Sequence, residues 1–192
     1  GKVMDALEKS GKRDETIVIF TSDHGFHLGE HDFWAKVSLR DESAKVPLII
    51  SAPGKKPGIC HSFVELLDLY PTLSSLCGLT KQDRLQGKDI SPMLDDPSYE
   101  VREEAFCVAP MRTGFLLRNK KWAFIQYGEK LPAQLKGGFE HGRNGIELFD
   151  MEQDPQQFTN LSDTLKYQPV VQSFRKKLQG KLAVIRDCDL KK

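Results

Sequence analysis

The sequence predicts an α/β protein in two parts, residues 1–103 and residues 104–192. Three observations predict it. Residues 16–20 (TIVIF) and 46–51 (VPLIIS) are short, apolar, largely β-branched runs, as expected of central strands buried on both faces. After residue 104 come short apolar runs at 105–108, 115–117, 122–127 and 146–149, separated by Pro110, Gly114, Asn119-Lys120 and Gly137-Gly138, which is the pattern of a small antiparallel sheet. Val170, Phe174, Leu178, Leu182 and Ile185 then mark one face of an amphipathic closing helix.

The remaining elements follow in order. Val3, Ala6 and Leu7 share a helical face, and Gly11 is a natural stop. Pro47 suits a strand start. Residues 53–58 (PGKKPG) are a loop by composition. Ser62 and Glu65 have capping-box spacing, but Pro71 favours a helix that begins near Leu69, because proline fits the first helical turn. Leu73 and Leu76 would face inward, with Gly78 ending the helix. Residues 80–104 are loop-rich. Gly180 interrupts the closing helix at a cost of about 1 kcal/mol.

Composition narrows the function. With 28 Lys+Arg against 27 Asp+Glu, the net charge of +1 gives no general basis for binding nucleic acid. No apolar run approaches the roughly 20 residues needed to span a bilayer. The first residue is Gly, which suggests a tag scar and a start inside a longer protein. The four cysteines, at 60, 77, 107 and 188, form no C-x-x-C pair. A Cys60–Cys77 bridge and buried free thiols both stay open.

Chemistry concentrates in residues 21–36, which follow directly on the first apolar run. Ligands of open α/β sheets sit beyond the carboxyl ends of strands. Asp23 and His24 stand there, with Gly25 allowing a sharp turn. A carboxylate oxygen beside an imidazole is half of a metal site. The alternative is a capping Asp and a loop histidine. His24, His27 and His31 have the spacing of a three-histidine zinc site, but Gly25 and Gly29 speak against the continuous helix that site would need.

The run TIVIFTSDHGFHLGEHDFWAK resembles the sulfatase family, in particular its iduronate-2-sulfatase-like branch. The likeness continues in order through VPLIISAPG, LLDLYPTLSSLCGL, QGKDISPML, MRTGFLLRNKKWAFIQY and ELFDMEQDPQQFTNLSD. The resemblance implies an alkaline-phosphatase-like α/β domain followed by a four-stranded antiparallel subdomain with a C-terminal helix. It implies that Asp23 and His24 are one pair of ligands to a divalent cation. Calcium is favoured over magnesium, manganese or zinc. Lys36 matches a lysine that contacts the sulfate, and its compact ammonium suits an anionic oxygen. His27 and Trp34 are candidate pocket-wall residues. Arg112 resembles an arginine at the start of the small subdomain, with either a structural or a substrate role. His141 lies in a Gly-rich loop that either overhangs the site or is simply exposed.

The family's nucleophile is a formylglycine made in a C/S-x-P-S-R motif, and no such motif occurs in the 192 residues. The adjacent aspartates of the family's first metal pair are also missing, and Asp95-Asp96 follows no buried strand. The resemblance therefore implies the C-terminal part of a sulfate-ester hydrolase. It would act on a sulfated saccharide, carry half of the metal and sulfate site, and be inactive alone. Its partner would be the missing N-terminal portion, and its setting secreted, periplasmic or lysosomal. A phosphodiester or phosphonate hydrolase shares the metal scaffold and the tetrahedral centre. The non-enzymatic alternative is a sulfatase-derived binding module that uses the small sheet and helix 170–185. Asn160-Leu161-Ser162 is a glycosylation sequon inside one of the matching blocks.

Overall fold

The computed structural model describes residues 1–80, 82–109, 114–128 and 145–187. Their contacts form two units. One joins Gly1–Asp23 to Val46–Glu103, and the other joins His24–Lys45 to the residues from Glu104 onward. A division thus falls at residue 104, but residues 24–45 group with the second unit.

In the first unit, helix α1 (Lys2–Lys9) ends at Ser10, and Gly11 follows at φ +70°, a conformation that favours glycine. Strands β1 (Val18–Thr21) and β2 (Leu48–Ser51) pair antiparallel, with Phe20 opposite Ile49. Pro47 directly precedes β2, where its missing N–H disturbs no ladder bond. The expected burial on both faces is not found: Phe20 is 61% exposed and Ile49 60%. Among the described residues these strands pair only with each other, so this cross-strand pair stays open on one side.

Helix α3 (Leu69–Leu76) begins where proline chemistry predicts and ends before Gly78, at φ +65°. Its inward face differs from expectation. Pro71, Thr72 and Ser74 are buried while Leu73 is 36% exposed. Thr72 Oγ1 donates to the Asp68 carbonyl at 2.6 Å and accepts the Ile90 N–H at 3.0 Å. That hydrogen bonding turns the polar side of the helix inward. The capping box also differs: it joins Glu65 to Asp68, while Ser62 accepts the Val101 N–H. Asp68 is fully buried. It receives the Glu65 and Lys88 N–H groups and a two-pronged contact from Arg102, in which Nη2 donates to Oδ1 at 2.7 Å and Nη1 to Oδ2. Burial pushes the Asp68 carboxyl up, but the arginine and the two backbone donors outweigh it and hold it below the ordinary carboxylate value.

In the second unit, β3 (Glu104–Val108), β4 (Gly114–Asn119), β5 (Trp122–Tyr127) and β6 (Ile146–Asp150) form an antiparallel sheet in chain order. Alternation sends adjacent residues to opposite faces, yet both faces are buried. Leu117, Phe124 and Leu148 pack against Val171, Phe174 and Leu178 of helix α4 (Gln168–Asp187). Leu116, Ile125 and Phe149 pack against Phe33 and Leu39 of the 24–45 segment. That segment includes the short helix α2 (Asp41–Ala44). The candidate site loop is thus one of the two covers of the small sheet. No described helix is long and apolar enough to cross a membrane.

Candidate active-site segment

Asp23 is an exposed residue just beyond β1, and it closes the first unit. His24 opens the second. Its Nδ1 donates to the Gly25 carbonyl at 2.8 Å, which leaves Nε2 as the lone-pair nitrogen. Lys36 Nζ stands 2.9 Å from that Nε2 and donates to it. The structure therefore brings together His24 and Lys36, twelve residues apart in sequence. A metal ligand needs the same lone pair that Lys36 now fills. A cation and the ammonium cannot both use it, so the two would exclude each other at this nitrogen.

Gly25 serves a purpose other than the expected turn. A Cβ there would lie 2.0 Å from the Glu42 carbonyl oxygen, so only glycine permits the close approach of α2. The Gly25 N–H donates to the Ser43 carbonyl at 2.8 Å. This backing holds Gly25, the neighbour of His24, against α2.

The His27 N–H donates to the carbonyl of Ala35, between Trp34 and Lys36, at 2.9 Å. His27 is fully buried, edge-on to Phe33 at 5.2 Å and to His31 at 5.8 Å. Burial holds its pKa below the ordinary imidazole value, against the opposing charge of Glu42. Trp34 is 70% exposed, with its ring edge over Gly29, which sits at φ +120°. Arg112, His141 and Cys188 lie outside the described residues. Cys60 and Cys77 are free thiols, so the bridge between them is not formed, and Cys77 is exposed. Among the described residues, no group of three or more His, Cys, Asp or Glu side chains is arranged around one metal position. His31 turns left-handed at φ 59°, which breaks the helical spacing of His24, His27 and His31. Asp95 pairs with Lys55 at 2.7 Å, and Asp96 caps Ser98. Asn160 is engaged by its fold. Its side chain accepts the Leu148 and Ser162 N–H groups and donates to the Ile146 carbonyl.

Sequence reasoning missed the group that anchors this segment. Arg40 is 4% exposed and reaches the fully buried Glu147 of β6, with Nη2 3.3 Å from Oε1. Its Nη1 donates to the Gln157 carbonyl at 2.7 Å and to His31 Nδ1 at 2.8 Å. Its guanidinium carbon lies 4.9 Å from the centre of the Phe149 ring. Gln157 Oε1 accepts the Asp41 N–H at 2.7 Å. His31, Asp32 and Gln157 all adopt positive φ without being glycine, and His31 and Gln157 both touch Arg40. Backbone held in such sparsely populated conformations persists only where surroundings fix it, and here the buried arginine does so. Burial and Arg40 both hold the His31 pKa below the ordinary imidazole value. The legible signal was Glu147 itself. It alternates with Ile146 and Leu148 on β6, and it shares the sheet face of Phe149 that residues 24–45 cover. A carboxylate there needs a buried cation.

Comparison with known proteins shows what the chain is similar to. Residues 1–79 match the sulfatase family model. Choline-sulfatase of Rhizobium meliloti (strain 1021) is 32% identical over 168 residues, and arylsulfatase K of Danio rerio is 36% identical over 147. These alignments cover 85% and 70% of the chain but only 30% and 28% of the two relatives, so the chain spans about a third of their length. Among solved structures, a 2-O GAG sulfatase superposes with a TM-score of 0.78 at 26% identity, covering 96% of this chain and 40% of that one. A phosphonate monoester hydrolase of Agrobacterium radiobacter gives a TM-score of 0.75 at 25% identity, covering 95% of this chain and 38% of that one. These matches support placement of the chain in the sulfatase family, with the alkaline-phosphatase-like α/β fold.

Proposed function

We propose that the chain carries the later part of a sulfate-ester hydrolase site whose substrate is a sulfated saccharide, within the iduronate-2-sulfatase-like branch. The observation that carries this is the 2.9 Å contact between Lys36 and His24. It sets an ammonium beside a metal-type imidazole, the pairing an anion bridging both would need. Asp23 and His24 hold one side of a divalent cation. The ligand types fit: one exposed carboxylate, and one imidazole whose tautomer presents Nε2. Calcium takes six to eight mostly oxygen ligands, so the other ligands, rich in oxygen, come from residues this chain lacks. When bound, the cation supplies Lewis-acid polarisation of the sulfate oxygens. Lys36 offsets charge on the sulfate, and α2 holds Gly25, the neighbour of His24. No C/S-x-P-S-R nucleophile motif occurs in the 192 residues. The nucleophile, a formylglycine by family resemblance, is expected from outside them, and the chain alone should show no multiple turnover.

The test is kinetic. In an enzyme that joins these residues to a nucleophile motif, Lys36→Ala should lower kcat/KM for an aryl sulfate at least about tenfold with an unchanged Tm. Losing a charge-assisted contact removes about 1.5–3 kcal/mol, and tenfold is 1.36. A variant matching the parent in both rate and Tm would end this reading of Lys36. Turnover by the homogeneous 192-residue chain would end the reading of an incomplete site.

The superposition on a phosphonate monoester hydrolase favours a second reading, phosphonate or phosphodiester hydrolysis, since both centres are tetrahedral and anionic. Activity restored by manganese or zinc but not by calcium, with phosphonate preferred to sulfate, would choose it.

A further inference from the structure

A second basic feature lies on α4. Ser173, Lys176, Lys177, Gly180 and Lys181 recur at helical spacings on one face and, with Glu104 of the edge strand β3, line a surface groove. From Ser173 to Val184 the groove runs roughly 16 Å along the helix at 1.5 Å per residue. Lys177 Nζ is 3.1 Å from Glu104 Oε2 and lies 5.5 Å from the Phe174 ring centre. Lys181 Nζ lies 5.3 Å from the Phe106 ring centre. Each of these two ammonium groups lies against a ring, which holds it beside the groove. Glu104 balances one ammonium, so the groove is net positive. Gly180 adds an independent observation. A Cβ at this position would meet no atom within 4 Å, so packing does not require the glycine. A helix interior disfavours glycine, yet here it leaves an open notch between Lys176, Lys177 and Lys181.

We propose that this groove binds a sulfated polysaccharide chain and holds it for the enzyme, apart from the residues that meet the scissile ester. α4 and the 24–45 segment cover opposite faces of the small sheet, so the groove is separate from Lys36. The proposal rests on the sulfated-saccharide reading above and adds a holding site to it. Three lysines against one glutamate line the groove, which suits a polyanion, and the sulfated-saccharide reading makes that polyanion a sulfated sugar, with nucleic acid as an outcome of the test. An anionic membrane fits less well. Phe174 and Leu178 face the core, and Val184 is the one large apolar residue exposed among the described side chains of α4.

The experiment is calorimetric titration of the 192-residue chain with a fully sulfated heparin octasaccharide, its desulfated counterpart and single-stranded DNA of matched charge. The sulfated sugar should bind, with affinity falling as salt rises. Lys176→Glu and Lys181→Glu should each weaken it by roughly fivefold or more, the equivalent of about 1 kcal/mol per exposed ionic contact. Gly180→Leu should weaken it while circular dichroism shows the helix intact. Lys2→Glu, on α1, should leave it unchanged. Equal binding of the desulfated sugar or of DNA overturns the proposal, as does indifference to both α4 charge reversals. Binding lost in Lys36→Ala but kept in the α4 variants overturns the groove while supporting the Lys36 site.

Discussion

Replacing Arg40 by methionine keeps the aliphatic stem and removes the guanidinium. The structure sets the expected magnitude. Arg40 is 4% exposed and Glu147 fully buried, and their charged ends lie 3.3 Å apart. The substitution leaves the Glu147 carboxylate in the core without its arginine, and it removes the donor to the Gln157 carbonyl. Breaking one side of a buried ion pair costs about 3–5 kcal/mol, a large part of the roughly 5–15 kcal/mol available to a domain. Replacing both partners with apolar residues of similar size is often near neutral. Arg40→Met with Glu147→Leu should therefore recover most of the loss, giving a coupling energy above about 2 kcal/mol. The assay is urea unfolding of the chain, followed by far-ultraviolet circular dichroism and by fluorescence of Trp122, which packs edge-on against Tyr167. A single-variant loss under about 1 kcal/mol, or a double variant as unstable as the sum of the singles, would refute the anchoring role of Arg40.

His27 and His31 have folded pKa values below the ordinary imidazole value of about 6.5, so between these values the unfolded chain binds more protons. Stability should be flat above about pH 6.5 and fall as pH drops below it; a urea midpoint that rises on acidification from pH 7 to 5.5 would contradict this. Asp68→Asn should destabilise the first unit by about 3 kcal/mol, because Arg102 loses its buried carboxylate, and a native-like urea midpoint would count against that. The Asp68 contribution is present above about pH 3.9 and is lost as pH falls through the lowered folded value. Lys36→Ala should strengthen Mn²⁺ binding at His24, read as paramagnetic broadening of its ring protons at lower metal concentration, since the ammonium no longer fills Nε2. Weaker broadening in the variant would show that Lys36 does not compete for that nitrogen.

Local chemistry made much of the fold legible. Gly11 and Gly78 end helices because positive φ suits glycine, and both do so here. The short runs after residue 104 are strands paired in chain order, and the two residues between β4 and β5 suit an antiparallel hairpin. Long-range relations were less legible. Leu73 looked inward on helical period alone, but the hydroxyl of Thr72 holds Asp68 and the Ile90 N–H, so the polar face is the buried one. Periodicity weighs apolar residues and cannot register a buried polar network. At the site, Asp23 and His24 stood out by residue type and Lys36 by the family resemblance, but the 2.9 Å approach of Lys36 to His24 depends on how residues 24–45 fold back.

Residues 24–45 follow β1 in the chain, which suggested that they belong with the first unit. The strands of the second unit argue otherwise. Ala123-Phe124-Ile125 and Phe115-Leu116-Leu117 carry no polar alternation, so neither face of that sheet can meet water without exposing several leucine-sized side chains. Each such side chain is worth about 1.5–3 kcal/mol when buried. Helix α4 covers one face only. The other face needs a cover that brings apolar residues and one cation for Glu147, and Phe33, Leu39 and Arg40 supply them. The same segment carries His24 and Lys36. A small sheet buried on both faces and carrying one inward glutamate thus fixes the placement of the candidate site loop. In that sense the second unit is part of the site's scaffold and not an appendage to it.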